Sequence, residues 1–379
     1  MSNVPTLNIG IEEEYQVIDP ETRNLRSFIT RSVDREQPVV RQFDQDRPLE
    51  SALSASMIDM ATPVCVDVVE ARAALTRQRR LVCDAAKEQG LQIAAAGTHP
   101  FASWQNPLLP RHGRFHGLVE DLQVVAQRML IFGMHVHIGV EDRDLAIDCL
   151  NVVRYMLPHL LILSTSSPFW HGRNTGLKSY RAILWDNLPR SGIPHQFASY
   201  TEYKQYVDLL LRTNCISGEH QIWWDARPHC LYPTLEFRLF DMCPSLDDAL
   251  GIVAMVQALI AWLVDLKSKN ISFRRYPRSL IHENKWRAER YGLDGMLIDF
   301  GQEDQVPARQ LLREMLRLID PYVDKLNSRQ EINHVYSMIE HGTSADRQLA
   351  LYEAHGGDEN SQEALRAVVD ALVQETMIE

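Results

Sequence analysis

The chain has 379 residues, with 50 Asp and Glu against 39 Lys and Arg, a formal net charge of −11. That sign removes long-range attraction to nucleic acid or an anionic membrane as a default, yet leaves room for an anion site built locally from metal ions or arginines. Hydrophobic residues make up 45% and charged residues 23%, ordinary for a globular chain; at roughly 150 residues per domain the length admits two to three domains or one large α+β unit.

The opening MSNVPTLNIGIEEE lacks a basic region and an apolar core, so no secretory signal is expected. Asn8 to Ile18 alternates like a strand. Gly10, Glu12, Glu14 and Gln16 share one face; Ile9, Ile11, Tyr15 and Val17 share the other, with Glu13 as the exception. Ser56 to Thr62 is a weaker strand, in which Asp59 sits among Met57, Ile58 and Met60, with Glu50 a further acid nearby. Val68 to Glu88 has helical spacing. Leu91 to Ala96 reads as a strand running into a turn at Gly97-Thr98-His99-Pro100, and Gly117 to Leu130 as a helix.

Ile131 to Val140 is the second clear strand: Gly133, His135, His137 and Gly139 lie on one face, opposite Phe132, Met134, Val136, Ile138 and Val140. Leu145 to Ser164 is helical, with Pro158 starting, kinking or ending a helix there. Phe169 to Ser199, rich in Gly, Pro, Arg, Asn and Ser, reads as a long functional loop. The third clear strand, Thr234 to Phe240, sets Thr234, Glu236 and Arg238 against Leu235, Phe237 and Leu239.

Asp247 to Lys267 is a helix opened by Ser245. Its apolar run, Ala249 to Val264, is too short to span a bilayer and is broken by Gln257, so a buried core helix is expected. Pro307 to Leu326 and Gln362 to Glu375 are amphipathic, and His355 to Ser361 is a turn-rich break. The cysteines, Cys65, Cys83, Cys149, Cys215, Cys230 and Cys243, form no CxxC pair. Reduced, mostly buried thiols and a cytoplasmic location are the expectation.

Each clear strand carries ionisable groups on one face and apolar groups on the other, the pattern of half-buried antiparallel strands. Any one of those polar faces could simply be wet. If the three meet in one sheet, Glu12, Glu14, Glu236, His135 and His137 converge, and a cation must hold them. Carboxylate oxygens with an imidazole suit a hard divalent ion. Asp59 is a candidate ligand and equally a capping acid. No GxxxxGK(S/T) loop, GxGxxG, HExxH or GxSxG occurs.

A set of short pieces runs in order along the chain: Gly10-Ile11-Glu12-Glu13-Glu14, Ala61-Thr62-Pro63-Val64-Cys65, Gly97-Thr98-His99-Pro100-Phe101 and Gly133-Met134-His135-Val136-His137. Then come Ser166-Ser167-Pro168, Trp224-Asp225-Ala226-Arg227-Pro228, Leu235-Glu236-Phe237-Arg238 and Arg290-Tyr291-Gly292-Leu293. In these the chain resembles the bacterial carboxylate–amine ligases, also called glutamate–cysteine ligase type 2, and more distantly glutamine synthetase. The resemblance implies an α+β fold with a curved antiparallel sheet whose concave face binds ATP and Mg²⁺ or Mn²⁺. Helices would pack on the other face, in a single domain spanning 1–379 with C-terminal helices from about 305 onward. It implies metal ligation by Glu12, Glu14, His135 and Glu236, contact of Arg238 with phosphate or acyl phosphate, and His137 beside the nucleotide phosphates. Relatives usually carry Glu where this chain has Asp59, a shorter ligand at that position. A homodimer is the implied assembly.

The chemistry follows: ATP converts a carboxylate into an acyl phosphate, which an amine attacks. Arg238 would stabilise charge during transfer, and Arg181 and Arg227 are candidates for gripping a substrate carboxylate. The expected reaction is amide formation from a glutamate-like carboxylate and an amine, in the manner of a glutamate–cysteine ligase. Two alternatives stand beside it: a metal-dependent amide hydrolase using His135 and His137, and a non-catalytic binder of ATP or an amino acid.

Overall fold

The structure, a computed structural model, describes residues 5–26, 56–105, 120–357 and 361–377. The expected Glu50 lies outside them, as does the first part of the helix expected over 117–130.

The alternating segments become the strands of one sheet: β1 (Ile9–Ile18), β2 (Met57–Ala61), β3 (Gln92–Ala94), β4 (Gly133–Gly139), β5 (Ala226–Pro228) and β6 (Thr234–Asp241). They run in the order β2-β1-β4-β6-β5, every pair antiparallel, and β3 pairs with the far end of β1. Ile9, Ile11, Met134, Val136, Ile138, Leu235 and Phe237 turn their common face into the main hydrophobic core. That alternation sets the register, because a one-residue slip would carry this apolar set to the polar side.

The helices that close the core are α1 (Val68–Glu88), α2 (Arg143–Val153), α3 (Leu157–Ser164), α4 (Tyr180–Trp185), α5 (Tyr200–Arg212), α6 (Leu246–Ser268), α7 (Arg278–Tyr291), α8 (Ala308–Val323), α9 (Arg329–His341), α10 (Ser344–Ala354) and α11 (Gln362–Thr376). The expected helix 145–164 divides into α2 and α3, with Pro158 in the first turn of α3, where its missing N–H is no loss. Ser245 caps α6 by accepting from the Asp248 N–H at 3.2 Å. Within the apolar run of α6, Gln257 donates to the Leu7 carbonyl at 2.9 Å, which explains the lone polar residue. Arg143–Ser164 and Leu246–Ser268 are long and apolar enough to cross a bilayer, but 83% of the apolar window of each is buried inside the fold, as in core helices. A second apolar cluster joins α11, through Leu365, Val368, Val369 and Leu372, to Ile18 and Ala94 of the sheet. None of the six cysteines is disulfide-bonded.

Two expectations need correction, and one helix was not anticipated. The stretch 169–199 is not one long loop: it holds a short strand pair (Phe169–Trp170 with Arg173–Asn174) and α4, whose six residues are too few to show helical periodicity. The described part of 117–130 is helical at 120–122 and again at Val124–Gln127, because Gln123 adopts a left-handed φ of 51° and divides the helix there. Helix α7 gave no apolar stripe because its buried residues include Asn284, Lys285 and Glu289 beside Ile281 and Ala288.

Glu13, the odd acid on the apolar face of β1, is fully buried. It meets Arg79 of α1 in a two-point contact, Nη2 to Oε1 at 2.5 Å and Nε to Oε2 at 3.1 Å, and the Tyr15 hydroxyl donates to it as well. The remaining Arg79 donors reach the carbonyls of Pro244 and Cys243, so the guanidinium ties α1, β1 and the segment leading into α6. Removing one partner strands the other charge in the core. Arg79→Met is therefore expected to lower the unfolding free energy in urea by about 3–5 kcal/mol, and adding Glu13→Leu should recover most of the loss.

His334 of α9 meets Asp248 of α6 at 2.7 Å, with Arg347 on the other oxygen at 2.8 Å. The hydrogen bond to Asp248 raises the imidazole above its ordinary 6.5, against the opposing effect of burial. A raised histidine stabilises the fold fully below its unfolded value and loses that contribution as pH rises through the folded one. The stability difference between wild type and His334→Gln should thus be greatest below about pH 6, on the order of 1 kcal/mol or less, and should vanish at alkaline pH in urea titrations.

Candidate active site

Directly opposed residues of antiparallel strands point to the same side, so the register specifies what meets on the polar face. Asp59 of β2 stands opposite Glu14 of β1. Glu12 of β1 stands opposite His135 of β4, and Gly10 opposite His137. On the other side of β4, His137 is opposite Glu236 of β6, which is in turn opposite Arg227 of β5. The separate polar faces expected from alternation therefore form one surface.

Its charges are closely coupled. His135 Nδ1 lies 3.1 Å from Glu12 Oε2. His137 Nε2 lies 3.7 Å from Glu12 Oε1, and its Nδ1 contacts the Thr234 hydroxyl at 3.2 Å. Burial depresses the basicity of His137 despite the carboxylates of Glu236 and Glu12 beside it. That leaves a neutral ring whose buried Nε2 has no hydrogen-bond partner. Glu12 is held well below the usual carboxylate range: burial alone would raise it, and the His135 hydrogen bond and both imidazoles outweigh burial. Glu14 accepts from the Gly133 N–H at 2.6 Å, at the point where the β1–β4 pairing ends.

The arginines gather at the β6 side. Glu236, 1% exposed, takes Arg227 Nε on Oε2 at 2.7 Å and Arg238 Nη1 on Oε1. Burial would raise this carboxyl; the two guanidiniums hold it well below its ordinary value instead. Arg227 also donates through Nη1 to the His220 and Ile222 carbonyls, so all three of its nitrogens are engaged by the protein. The β4–β6 register shifts after Phe237, and the Arg238 N–H turns to the Asp225 carbonyl at 2.8 Å. The Arg238 guanidinium lies 5.4 Å from the centre of the Trp185 ring, and Arg181 approaches the same indole at 5.5 Å. This is the cation–π arrangement.

Arg181, 1% exposed, donates from Nη1 to Leu239 O and from Nη2 to Arg238 O, both at 3.3 Å; its Nε has no partner. It needs Gly133: a Cβ there would stand 2.1 Å from Arg181 Nη2. Gly97 has the same relation to Asp241, where a Cβ would fall 2.7 Å from Cγ. Asp241 in turn is wrapped by Ser167 Oγ (2.6 Å), Ser179 Oγ (2.8 Å) and Ser166 N (3.0 Å). His99 is a turn residue, its Nδ1 accepting from the Phe101 and Ala102 N–H groups.

Among the described residues no three His, Cys, Asp or Glu groups stand close enough to enclose an ion as they are. The donor chemistry nevertheless fits a hard divalent cation. Asp59 and Glu14 are directly opposed carboxylates, hard oxygen donors of the kind a divalent ion takes. Each carboxylate oxygen has two lone pairs, so Glu236 keeps acceptor capacity beyond its arginine contacts. Glu12, Glu14, Asp59, His135 and Glu236 are thus brought to one face with Arg238 and His137, while Arg227 sits saturated at its edge. Trp185 and Asp225, which contact Arg238, and Lys285, which pairs with Asp225, were not singled out individually from sequence. Asp225 and Arg227 share one motif, the only local signal available.

A family model described as glutamate–cysteine ligase family 2 matches residues 8–371. A protein of Herpetosiphon aurantiacus provisionally named glutamate–cysteine ligase 2 is 48% identical over 369 residues, 97% of this chain and 93% of its own length. One of the same provisional name from Solibacter usitatus is 46% identical over 377 residues, 99% of this chain and 95% of its own. Among solved structures, a glutamate–cysteine ligase of Francisella tularensis in complex with AMP has a TM-score of 0.68 at 13% identity, over 98% of this chain and 90% of that one. A bifunctional glutathione synthetase of Pasteurella multocida gives 0.69 at 15% identity, over 98% of this chain and 53% of that one. At these identities the structural likeness is one of fold, and it agrees with the α+β architecture. With the family model and near-half-identical relatives spanning almost its whole length, the chain belongs to glutamate–cysteine ligase family 2 and is an ATP-dependent ligase.

Proposed function

We propose that the polar face of the sheet joins a glutamate-like carboxylate to an amine by way of an acyl phosphate. The observation that carries this reading is the register itself. It sets Asp59, Glu14, Glu12, His135, His137 and Glu236 in adjoining positions on one face, with Arg238 at its β6 side. Glu12, Glu14, Asp59, His135 and Glu236 would hold Mg²⁺ or Mn²⁺, which would supply positive charge against the phosphates.

A substrate carboxylate oxygen bonds the γ-phosphorus of ATP as ADP leaves; the amine then attacks the acyl carbon, expels phosphate and loses a proton, leaving the amide. Arg238 stabilises charge on the phosphoryl oxygens, its guanidinium held by Glu236 and the Trp185 face. His137 offers a neutral ring with an unused Nε2 to a phosphate oxygen. Arg181 retains an unused Nε for a substrate carboxylate, whereas Arg227 braces Glu236. A glutamate substrate is supported by the names of the relatives, and a γ-glutamyl product is part of the same proposal.

The test incubates the protein with ATP, Mg²⁺, glutamate and a panel of amines including cysteine, and measures ADP and new amides by mass spectrometry. ADP release that needs both carboxylate and amine is the expected result. Amide cleavage without ATP would replace this reading with a hydrolase. Glu12→Gln keeps the shape and removes the charge; it should lower metal-dependent ADP release at least about a hundredfold with an unchanged circular dichroism spectrum. Full turnover in that variant refutes the role of β1.

A further inference from the structure

Besides its ion pair with Glu236 on the same strand, Arg238 is held at two points that lie far from each other in sequence. Its N–H is held by the carbonyl of Asp225, and its guanidinium rests on the indole of Trp185. The residue after Trp185 is Asp186, so each anchor lies at or next to an acid. Both acids are gripped by one side chain. Lys285, from the polar inner face of α7, places Nζ 2.7 Å from Asp186 Oδ1, 2.8 Å from Asp225 Oδ2 and 3.0 Å from Asp225 Oδ1.

Lys285 is 2% exposed, Asp225 1% and the Asp186 side chain 21%, so water screens this contact weakly. Glu289 lies one helical turn on, at 4.0 Å, and shares the site. The two anchors are also tied to each other, because Trp185 Nε1 donates to the Trp223 carbonyl at 2.9 Å, two residues before Asp225. Lys285 thereby spans the two segments that contact Arg238.

We propose that Lys285 is a positioning residue for Arg238, clamping the Asp225 carbonyl and the Trp185 platform together so that the guanidinium is held at the phosphate end of the site. The proposal rests on the reading that Arg238 meets phosphate. Lys285 touches neither substrate nor metal in this scheme, and its effect passes only through Arg238. The clamp also explains a family piece that alternation leaves unread: in Trp224-Asp225-Ala226-Arg227, Asp225 receives the lysine while Arg227 braces Glu236.

The experiment is a double-mutant cycle on the affinity for ATP–Mg²⁺ by calorimetry, which needs no knowledge of the amine, repeated on ADP release with glutamate and the amine panel. Lys285→Met in the wild-type background is expected to weaken ATP–Mg²⁺ binding about tenfold, the scale of one displaced charge-assisted hydrogen bond. In an Arg238→Ala background the same substitution should change it less than about twofold, because nothing is left to position. Asp225→Asn, which loses the charge and keeps the shape, should repeat the pattern, and it carries the test if Lys285→Met does not fold.

Equal losses in both backgrounds would overturn the proposal, since a generally loosened fold harms both alike. So would wild-type affinity in Lys285→Met or Asp225→Asn. If Arg238→Ala itself binds and turns over like wild type, it is the phosphate reading of Arg238 that fails, and the clamp falls with it for a separate and identifiable reason.

Discussion

Carboxylates set against one another on adjacent strands repel, and the rest of this structure is organised around that repulsion. Asp59 faces Glu14 across β1 and β2, and Glu12 and Glu236 flank the histidines of β4. On a solvated sheet such a pattern would be screened or avoided. Here the middle of the face is buried, with His135 and His137 6% and 7% exposed. Counter-charge must therefore be built in or bound. At the β6 side it is built in, as Arg227 and Arg238 on Glu236. At the β1–β2 side Glu14 leans on the Gly133 N–H and has Arg181 as its nearby cation, and that side is the part whose donors suit a divalent ion.

The same logic runs beneath the face. Three buried ionic or polar assemblies support it, each joining segments distant in sequence. Glu13 and Arg79 bind β1 to α1 and to the entry of α6. Asp241, at the end of β6, gathers Ser166, Ser167 and Ser179, which fixes the chain on either side of the short strand pair. Lys285 binds the ends of α4 and of the approach to β5. Such contacts add little net stability over an apolar core but are severe when half broken. They impose one arrangement on the polar face, as the proposed binding of phosphate and two substrates requires.

Much of this was legible in the chain. The strands that carry the site begin and end within two residues of where alternation places them, because a half-buried strand writes its two faces into successive residues. Helices α1, α6 and α11 were equally plain, since each carries enough apolar residues to show its period or its burial. Helix α7 was not, because the residues it buries are largely polar, and α4 was too short to show a period. Glu13 announced a buried partner by standing on the apolar face, but nothing near it in sequence could say that the partner was Arg79.

By itself the sequence determined which side chains share a strand face, and hence that Glu12 with Glu14, His135 with His137 and Glu236 with Arg238 act as sets. That follows from the two-residue period of an extended backbone, which is local. Only the tertiary structure decided which sets meet, that Asp59 joins them, and that Arg227 is consumed by Glu236 while Arg181 keeps an unused donor. Those outcomes depend on strand order and on glycines that admit a guanidinium or a carboxylate at Gly133 and Gly97. They depend also on long-range ion pairs between residues more than sixty positions apart, such as Glu13–Arg79 at 66. Pairing at that range is selected by packing of the whole chain, so no local pattern records it.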